Sequence, residues 1–559
     1  MTRRDLLFGI FAAVVVSVIT LLPQIYLCYQ RGSDWNGQYA LFDSDEIAYA
    51  AYVRALMDHR PRRNDPYTGL DNTQAETLYS IQFIPAYSIA IPARLARISA
   101  STAFIVLSVS VAFASSIVLF CILFDLLGDG LLSAFGAVTI LLMAGFAGAA
   151  PWNFFAPHVS FPFLRRYLPA FPFPFFFAMV WFMWRALTRN SWMWAVLASI
   201  SLPIQIYSYF FVWTAAAAWI LTLAVLWLAT QPVRRYLWRV FGTVAAVAAM
   251  ALIPYISLLR HRAAVTDDAQ LLEFTHAPDL LRGPEVYGFL IALILVRRGW
   301  RNPKTVFALS IALAPFVIFN QQILTGRSLQ PFHYEQFITN YSVLLAGVFA
   351  VASSRAIARR VQIYGGIIFL LLGFAYSAAI AERTFDFSRE VDKARAAALR
   401  LNGPGTVFAT NRYLITTVPA VTSNPVLWAR YMYTFSNVDR TQQKFRFYKY
   451  LYFSGATKED VRRLLERPDA AVRQDVFGAE RANPMLTTQP LTITSQDIES
   501  AVDEYVRFTL TIDRREATTP VLSYAIVQPN DDLANLDKWY QRDAGERVGE
   551  FTIYRLTVR

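Results

Sequence analysis

Three acidic side chains crowd into one short stretch, Phe42-Asp43-Ser44-Asp45-Glu46-Ile47. A carboxylate there can act as a general base by taking the proton of an attacking hydroxyl, and hard divalent cations also prefer carboxylate oxygens. The same spacing serves structure. Asp43 as an N-cap with Glu46 three residues on makes a capping box, and acids in a first turn suit the helix dipole. That account covers Asp43 and Glu46 better than it covers Asp45.

Basic and amide side chains form two further candidate groups. Arg165 and Arg166 sit side by side in the aromatic, proline-rich loop 151–170, where a pair of arginines suits a phosphate whose lipid tail stays in a bilayer. The plainer reading makes them snorkelling interfacial anchors. The segment 320–341 places Arg327, His333 and Glu335 among Gln321, Gln322 and Gln330. Arg327 and His333 could bind a phosphate or pyrophosphate, and the amides a sugar. Alternatively the whole segment is a polar plug. No His/Cys pattern has zinc spacing, and there is neither a glycine-rich phosphate loop nor a serine nucleophile elbow.

The elements that must position these residues belong to a membrane protein. Of 559 residues, 55% are hydrophobic and 16% charged, too apolar for an ordinary soluble chain of this length. A span needs roughly 20 apolar residues. Eleven stretches approach this, near 6–27, 101–124, 131–150, 171–187, 192–208, 211–229, 237–258, 285–296, 305–320, 337–353 and 361–380. The first is expected to remain as an anchor, because its apolar run is too long for a signal peptide. Charge density rises sharply after residue 380, which predicts a transmembrane body over 1–380 and an extracytoplasmic α/β domain over 381–559. Within the body, 28–100 is a long outer segment with juxtamembrane helices. Residues 44–58 read as an amphipathic helix on the membrane surface.

Orientation follows from the short loops. One alternating set holds 14 Lys and Arg, including Arg3, Arg185, Arg234, Arg298, Lys304, Arg355 and Arg359, and the other set holds six. The positive-inside rule then puts the N-terminus in the cytoplasm and the C-terminal domain outside. The loop Asp125–Gly130 has no basic residue and gives this assignment no support. The net charge of +12 lies mostly in the body, as loop charge at a membrane face, and makes little case for nucleic acid. With 46 Arg to 6 Lys the chain reads as bacterial and high-GC, hence an inner (plasma) membrane protein. Cys28 and Cys121 supply no disulfide framework for the outer part.

In 381–559, Thr406–Ala409, Val521–Val527 and Glu550–Val558 read as strands. Arg389–Leu401, Thr441–Phe453 and Lys458–Glu466 read as helices.

The order of these parts, and FDSDEIAY at Phe42–Tyr49 in particular, resembles the GT-C superfamily of polytopic glycosyltransferases, such as protein O-mannosyltransferases and aminoarabinose transferases. Leu78–Phe83 and Arg94–Leu95 fit the juxtamembrane helices that follow the acidic motif in that superfamily. The resemblance implies a GT-C-like body of about eleven transmembrane helices. It also implies transfer of a sugar from a polyprenyl-phosphate donor to a lipid, glycan or protein acceptor on the outer face, with inversion. Asp45 would be the base, with Asp43 or Glu46 assisting or binding a divalent cation, magnesium or manganese. Arg165, Arg166, Arg327, His333 and Tyr49 would bind substrate. There is no Trp-Trp-Asp motif, which disfavours transfer to asparagine. Two other classes share these features in part. A flippase or transporter of lipid-linked sugars would carry more ionisable groups within its spans. A non-catalytic assembly protein would need no acidic cluster.

Overall fold

The computed structural model describes the chain except residues 149–160, 162, 190, 233–234, 264–271, 355–356, 436–439, 468–469, 479–480 and 482–491. Arg234, Arg355 and the first part of the 151–170 loop lie outside the described residues.

The first helix, α1 (Arg3–Arg31), starts on a capping box between Thr2 and Asp5 and stops at Gly32, whose φ of +52° favours glycine. Next come α2 (Asp45–Met57), α3 (Phe83–Leu95), α4 (Ala100–Leu127), α5 (Gly130–Gly148), α6 (Phe173–Arg189), α7 (Trp192–Ile206) and α8 (Phe210–Thr230). The body continues with α9 (Arg235–Arg260), α10 (Gly283–Val296), α11 (Pro303–Ile318), α12 (Asn340–Ala352) and α13 (Arg359–Ala398). Each of the eleven apolar stretches falls on one of these helices. Among the described residues, seven helical segments are long and apolar enough to cross a membrane, and Gly130–Gly145, Trp192–Ile206 and Gly283–Val296 are shorter apolar helices. The chain is a multi-pass membrane protein by this measure. Its helices approach closely: a Cβ added at Gly288 of α10 would lie 2.1 Å from the Ala312 carbonyl oxygen on α11.

One end of the bundle gathers the arginine-rich loops. Asp125 takes a two-pronged ion pair from Arg185, Asp129 pairs with Arg359 at 3.0 Å, and Lys304 Nζ donates to the Leu126 carbonyl at 2.5 Å. The loop 125–130 therefore sits among the basic loops even though it has no basic residue of its own.

At the other end, α2 departs from its expected place. Ten of its 13 residues are buried, including the unbroken run Glu46–Val53 that covers every face of the helix, so it is no surface helix. Its small alanines let α3 pack on one flank and α14 (Arg412–Val421) on another. The chain also shows no break at residue 381. Helix α13 runs for 40 residues, about 60 Å at 1.5 Å per residue, roughly twice the hydrocarbon thickness of a bilayer. Its far half packs on the segment that follows α1 and on the start of α4: Asp392 pairs with Arg31 at 3.0 Å, and Arg395 donates to the Asn36 carbonyl and to Ser101.

Beyond α13, a five-stranded sheet is built from β3 (Thr406–Ala409), β4 (Leu522–Val527), β7 (Phe551–Val558), β5 (Tyr540–Arg542) and β6 (Glu546–Val548). β3 and β4 are parallel, while β7 runs antiparallel to β4, β5 and β6. Two short strands elsewhere, β1 (Leu272–Phe274) and β2 (Arg327–Leu329), pair antiparallel.

Candidate active site

The acidic stretch closes on itself at the start of α2. The Phe42 and Asp43 amides donate to Glu46 Oε1 at 2.9 and 3.0 Å, and the Asp45 amide donates to Asp43 Oδ1 at 3.0 Å. Half of the expected capping box is made: Glu46 accepts from the Asp43 amide, while the Asp43 side chain accepts from the Asp45 amide rather than that of Glu46, and the helix is entered through Ser44, whose side chain makes no cap. The Asp45 side chain makes none of these bonds. It keeps 40% of its surface accessible, because its carboxylate faces a partly open cavity.

Arg165 reaches this acidic pair from the loop before α6. Its Nε donates to Asp43 Oδ2 at 2.9 Å, its Nη2 makes a short ion pair with Asp45 Oδ2, and its Nη1 donates to the Leu168 carbonyl at 2.9 Å. The guanidinium lies over the rings of Tyr49 and Phe337, at 5.6 and 5.8 Å. The two carboxyls respond differently to this environment. Burial raises Asp43, but Arg165 and the Asp45 amide outweigh it, and the net shift is downward. For Asp45, burial and the neighbouring Asp43 charge outweigh Arg165 and push the group up. Environments that drive two carboxyls apart are how acid and base roles are divided.

Arg166 points the opposite way. It is 1% exposed and donates to the carbonyls of Ala40 (2.8 Å), Leu164 (3.1 Å) and Phe104 (3.1 Å) while facing Glu46 Oε2 at 3.3 Å. Glu46 is fully buried, and burial lifts its carboxyl to about 7 against the pull of Arg166 and two backbone amides. Neither Arg166 nor Glu46 lines the cavity, so these two expected site residues stand behind it as a sealed pair.

The cavity has a volume of about 180 Å³, roughly six times a water molecule's share of the liquid, which leaves room for one small polar unit. Its walls are Asp45, Tyr49, Leu78, Tyr79, Gln82, Arg165, Tyr167, Leu168, Tyr209, Phe211, Gln330, His333, Tyr431, Tyr433 and Thr434. The aromatic rings offer flat faces of the kind that pack on sugar rings, and the hydroxyls and amides offer hydrogen bonds. His333 stacks on Phe337 (5.4 Å) and meets Phe211 edge-on (4.6 Å), and its buried Nδ1 has no hydrogen-bond partner among the described residues.

Arg327 is not brought to the site. It leads β2, which pairs with β1, and its exposed guanidinium lies over Phe274 at 5.9 Å. Nearby Glu335 pairs with Arg282 at 3.5 Å, Gln321 bonds Tyr334, and Gln322 bonds the Ala277 carbonyl, so of the three amides only Gln330 reaches the cavity.

A divalent cation does not fit this donor set. Among the described residues one carboxylate, Asp45, lines the cavity; it and its neighbour Asp43 are each already bonded to the Arg165 guanidinium, and Glu46 is turned away. Among the described residues, no group of three or more His, Cys, Asp or Glu side chains is placed to hold a metal ion.

Sequence reasoning did not single out Tyr79, Gln82, Tyr167, Tyr209 or Phe211 as site residues, nor the contribution of the C-terminal region. Tyr431, Tyr433 and Thr434 form one wall, fastened by a Tyr431–Ser44 hydroxyl bond of 2.7 Å and by Phe435 stacked on Tyr79 at 3.8 Å. Tyr79 and Gln82 lie in the Leu78–Phe83 stretch, so that segment carried a signal. The tyrosines near 431 carry no motif.

No family model matches the chain, and no curated protein matches it. Among solved structures the chain is similar to the arabinofuranosyltransferase AftD from Mycobacteria, at 12% identity and a TM-score of 0.40, over 94% of this chain and 40% of that one. The chain thus spans about two-fifths of the length of that protein.

Proposed function

We propose that the protein is an integral membrane glycosyltransferase of the GT-C type, which moves a sugar from a polyprenyl-phosphate donor to an acceptor hydroxyl with inversion. The observation that carries this reading is the meeting of Asp45, Arg165 and a ring of aromatic and amide side chains around one small cavity. In the reaction Asp45 accepts the acceptor's hydroxyl proton as the oxygen forms its bond to the anomeric carbon. On the opposite face the bond from that carbon to the phosphate oxygen breaks, and the electron pair leaves with the polyprenyl phosphate. The upward shift of Asp45, from burial and the neighbouring Asp43 charge, suits this step, because it moves the group's proton affinity toward the working pH. The developing charge on the leaving phosphate falls to Arg165.

In this reading all eleven apolar helices cross the bacterial inner membrane, with the N-terminus in the cytoplasm. The site and the C-terminal α/β domain face outward. The gathering of the arginine-rich loops at the end of the bundle opposite α2 supports that orientation. The test is incubation of the purified protein with a panel of labelled polyprenyl-phosphate sugars and nuclear magnetic resonance of the product. The expected outcome is one transferred sugar with inverted anomeric configuration. A retained configuration would remove the single-displacement mechanism.

A further inference from the structure

The bonds of Arg165 are unequal in a way that matters for Asp45. Two of its nitrogens are anchored in the wall: Nε on Asp43, whose other oxygen holds the Asp45 amide, and Nη1 on the Leu168 carbonyl. Its third nitrogen, Nη2, is tied to Asp45, whose carboxylate faces the cavity. Were Asp45 to let go, the guanidinium would stay where it is, held by two bonds, and present its Nη2 edge to whatever occupies the cavity. The Tyr209 side chain also hydrogen-bonds Arg165, and Arg430, Tyr49, His333, Tyr431 and Tyr433 lie within electrostatic reach of the pair. A carboxylate paired with a guanidinium is a weaker base than the same group unpaired, since the adjacent positive charge favours its ionised form, and Arg165 holds Asp45 down in this way.

We infer that Arg165 is both the resident cation of this site and the latch on its base: the phosphate of a phosphodiester-linked sugar donor entering the cavity takes over Nη2, and Asp45 is released to accept a proton only when the donor is in place. This rests on the reading of Asp45 as the base. The arrangement makes the acceptor unreactive until the donor's phosphate has bound, which guards against idle deprotonation. It also gives Arg165 the position between two carboxylates that a divalent ion would need, so the carboxylate pair works without one. The guanidinium's forked geometry suits the exchange, since carboxylate and phosphate oxygens present the same spacing to it.

The competition makes an unusual prediction about binding. If Asp45 and a phosphate contend for Nη2, removing the carboxylate's charge frees the nitrogen and strengthens phosphate binding. The measurement is the affinity of full-length purified protein for decaprenyl phosphate in detergent, and separately for inorganic phosphate, in the parent, Asp45→Asn, Arg165→Gln and Arg165→Lys proteins. Asp45→Asn is expected to bind decaprenyl phosphate about tenfold tighter than the parent. Arg165→Gln is expected to bind it weaker by a similar factor, with Arg165→Lys between. Unchanged or weaker binding by Asp45→Asn overturns the latch. Tighter binding of inorganic phosphate alone would also overturn the assignment to a lipid-linked donor.

A second readout tests the resident cation by electron paramagnetic resonance of added manganese. The parent is expected to hold no more Mn²⁺ than Asp45→Asn does, and Arg165→Gln to acquire a bound ion that Arg165→Gln/Asp45→Asn lacks. A stoichiometric ion in the parent that Asp45→Asn removes would contradict the inference, as would no gained ion in a folded Arg165→Gln protein. If Arg165→Gln does not fold, the comparison of parent with Asp45→Asn still decides both readouts. Neither readout needs transfer: a parent that transfers no sugar would sink the glycosyltransferase reading and leave these comparisons standing.

Discussion

Arg165 and Arg166 are neighbours in the chain, each paired with acids from the same short stretch, yet the two ion pairs have opposite surroundings. The front pair, Arg165 with Asp43 and Asp45, borders a cavity and keeps carboxylate surface accessible. The rear pair, Arg166 with Glu46, is sealed, with side-chain exposures of 2% and 0%, and the guanidinium is further satisfied by three backbone carbonyls. A buried pair with its remaining bonds filled holds a backbone in place and costs dearly to break from one side. A pair at a cavity wall can exchange one partner for a ligand. Residue type and spacing are shared by the two pairs, and access alone separates chemistry from scaffolding.

The comparison is broken most severely at Asp45. Asp45→Asn keeps the shape and removes the basicity, so transfer is expected to fall about 100- to 10,000-fold. Glu46→Gln is expected to stay within about tenfold of the parent per folded protein, since Glu46 meets no substrate. Equal losses in the two variants, measured as initial rates, would erase the distinction between front and rear.

On the stability side the order reverses. Measured well above pH 7, where Glu46 is otherwise ionised, Arg166→Met strands Glu46 without its cation and is expected to cost up to about 3–5 kcal/mol, read as a lowered thermal midpoint of the purified protein. Arg166→Met combined with Glu46→Leu is expected to recover much of that loss, because the uncompensated charge is gone.

Acidity sharpens the contrast. The Glu46 carboxyl is raised from 4.5 to about 7, so the folded state binds more protons than the unfolded chain between those values. Its contribution to stability is full below pH 4.5 and is lost as the pH climbs through about 7. The slope of the thermal midpoint over that window is expected to flatten in Glu46→Gln. Asp43 is shifted downward, and its contribution has the opposite sign: present above its unfolded value of 3.8 and lost as the pH falls through its depressed one. A midpoint that drops below pH 4 in the parent but less in Asp43→Asn would show this.

The smallest expected effect lies at the wall supplied by the C-terminal region. Tyr431→Phe removes one hydroxyl bond to Ser44 and is expected to cost about 0.5–1.5 kcal/mol in stability, with a modest rise in KM. Arg327→Ala, by contrast, is expected to leave transfer unchanged, since that side chain lies on Phe274 outside the cavity.

Periodicity and composition made the helices legible, because a bilayer imposes a length and an apolar run that few other constraints produce. The acidic motif was legible for a similar reason: three carboxyls at a helix start exceed what capping requires. What stayed hidden depended on direction. Adjacent residues in an irregular loop have no period, so nothing in Arg165–Arg166 tells which guanidinium turns to the cavity. Arg327 looked like a ligand because it is near His333 in sequence, but pairing with 272–274 fixes it on a two-stranded ribbon outside the site. Helix α2 looked amphipathic because alanine counts as apolar on every face, and only the arrival of α14 from more than 350 residues downstream explains why all its faces are covered. The tyrosines near 431 reach the cavity through that same long-range packing.

The central claim is that sugar transfer is carried out at the Asp45–Arg165 cavity. The most direct measurement follows the label from a polyprenyl-phosphate sugar into acceptor, together with release of polyprenyl phosphate, in parent and Asp45→Asn proteins at equal folded concentration. The account predicts stoichiometric transfer and release by the parent and a loss of at least about 100-fold in both by Asp45→Asn. Undiminished transfer by folded Asp45→Asn would contradict it.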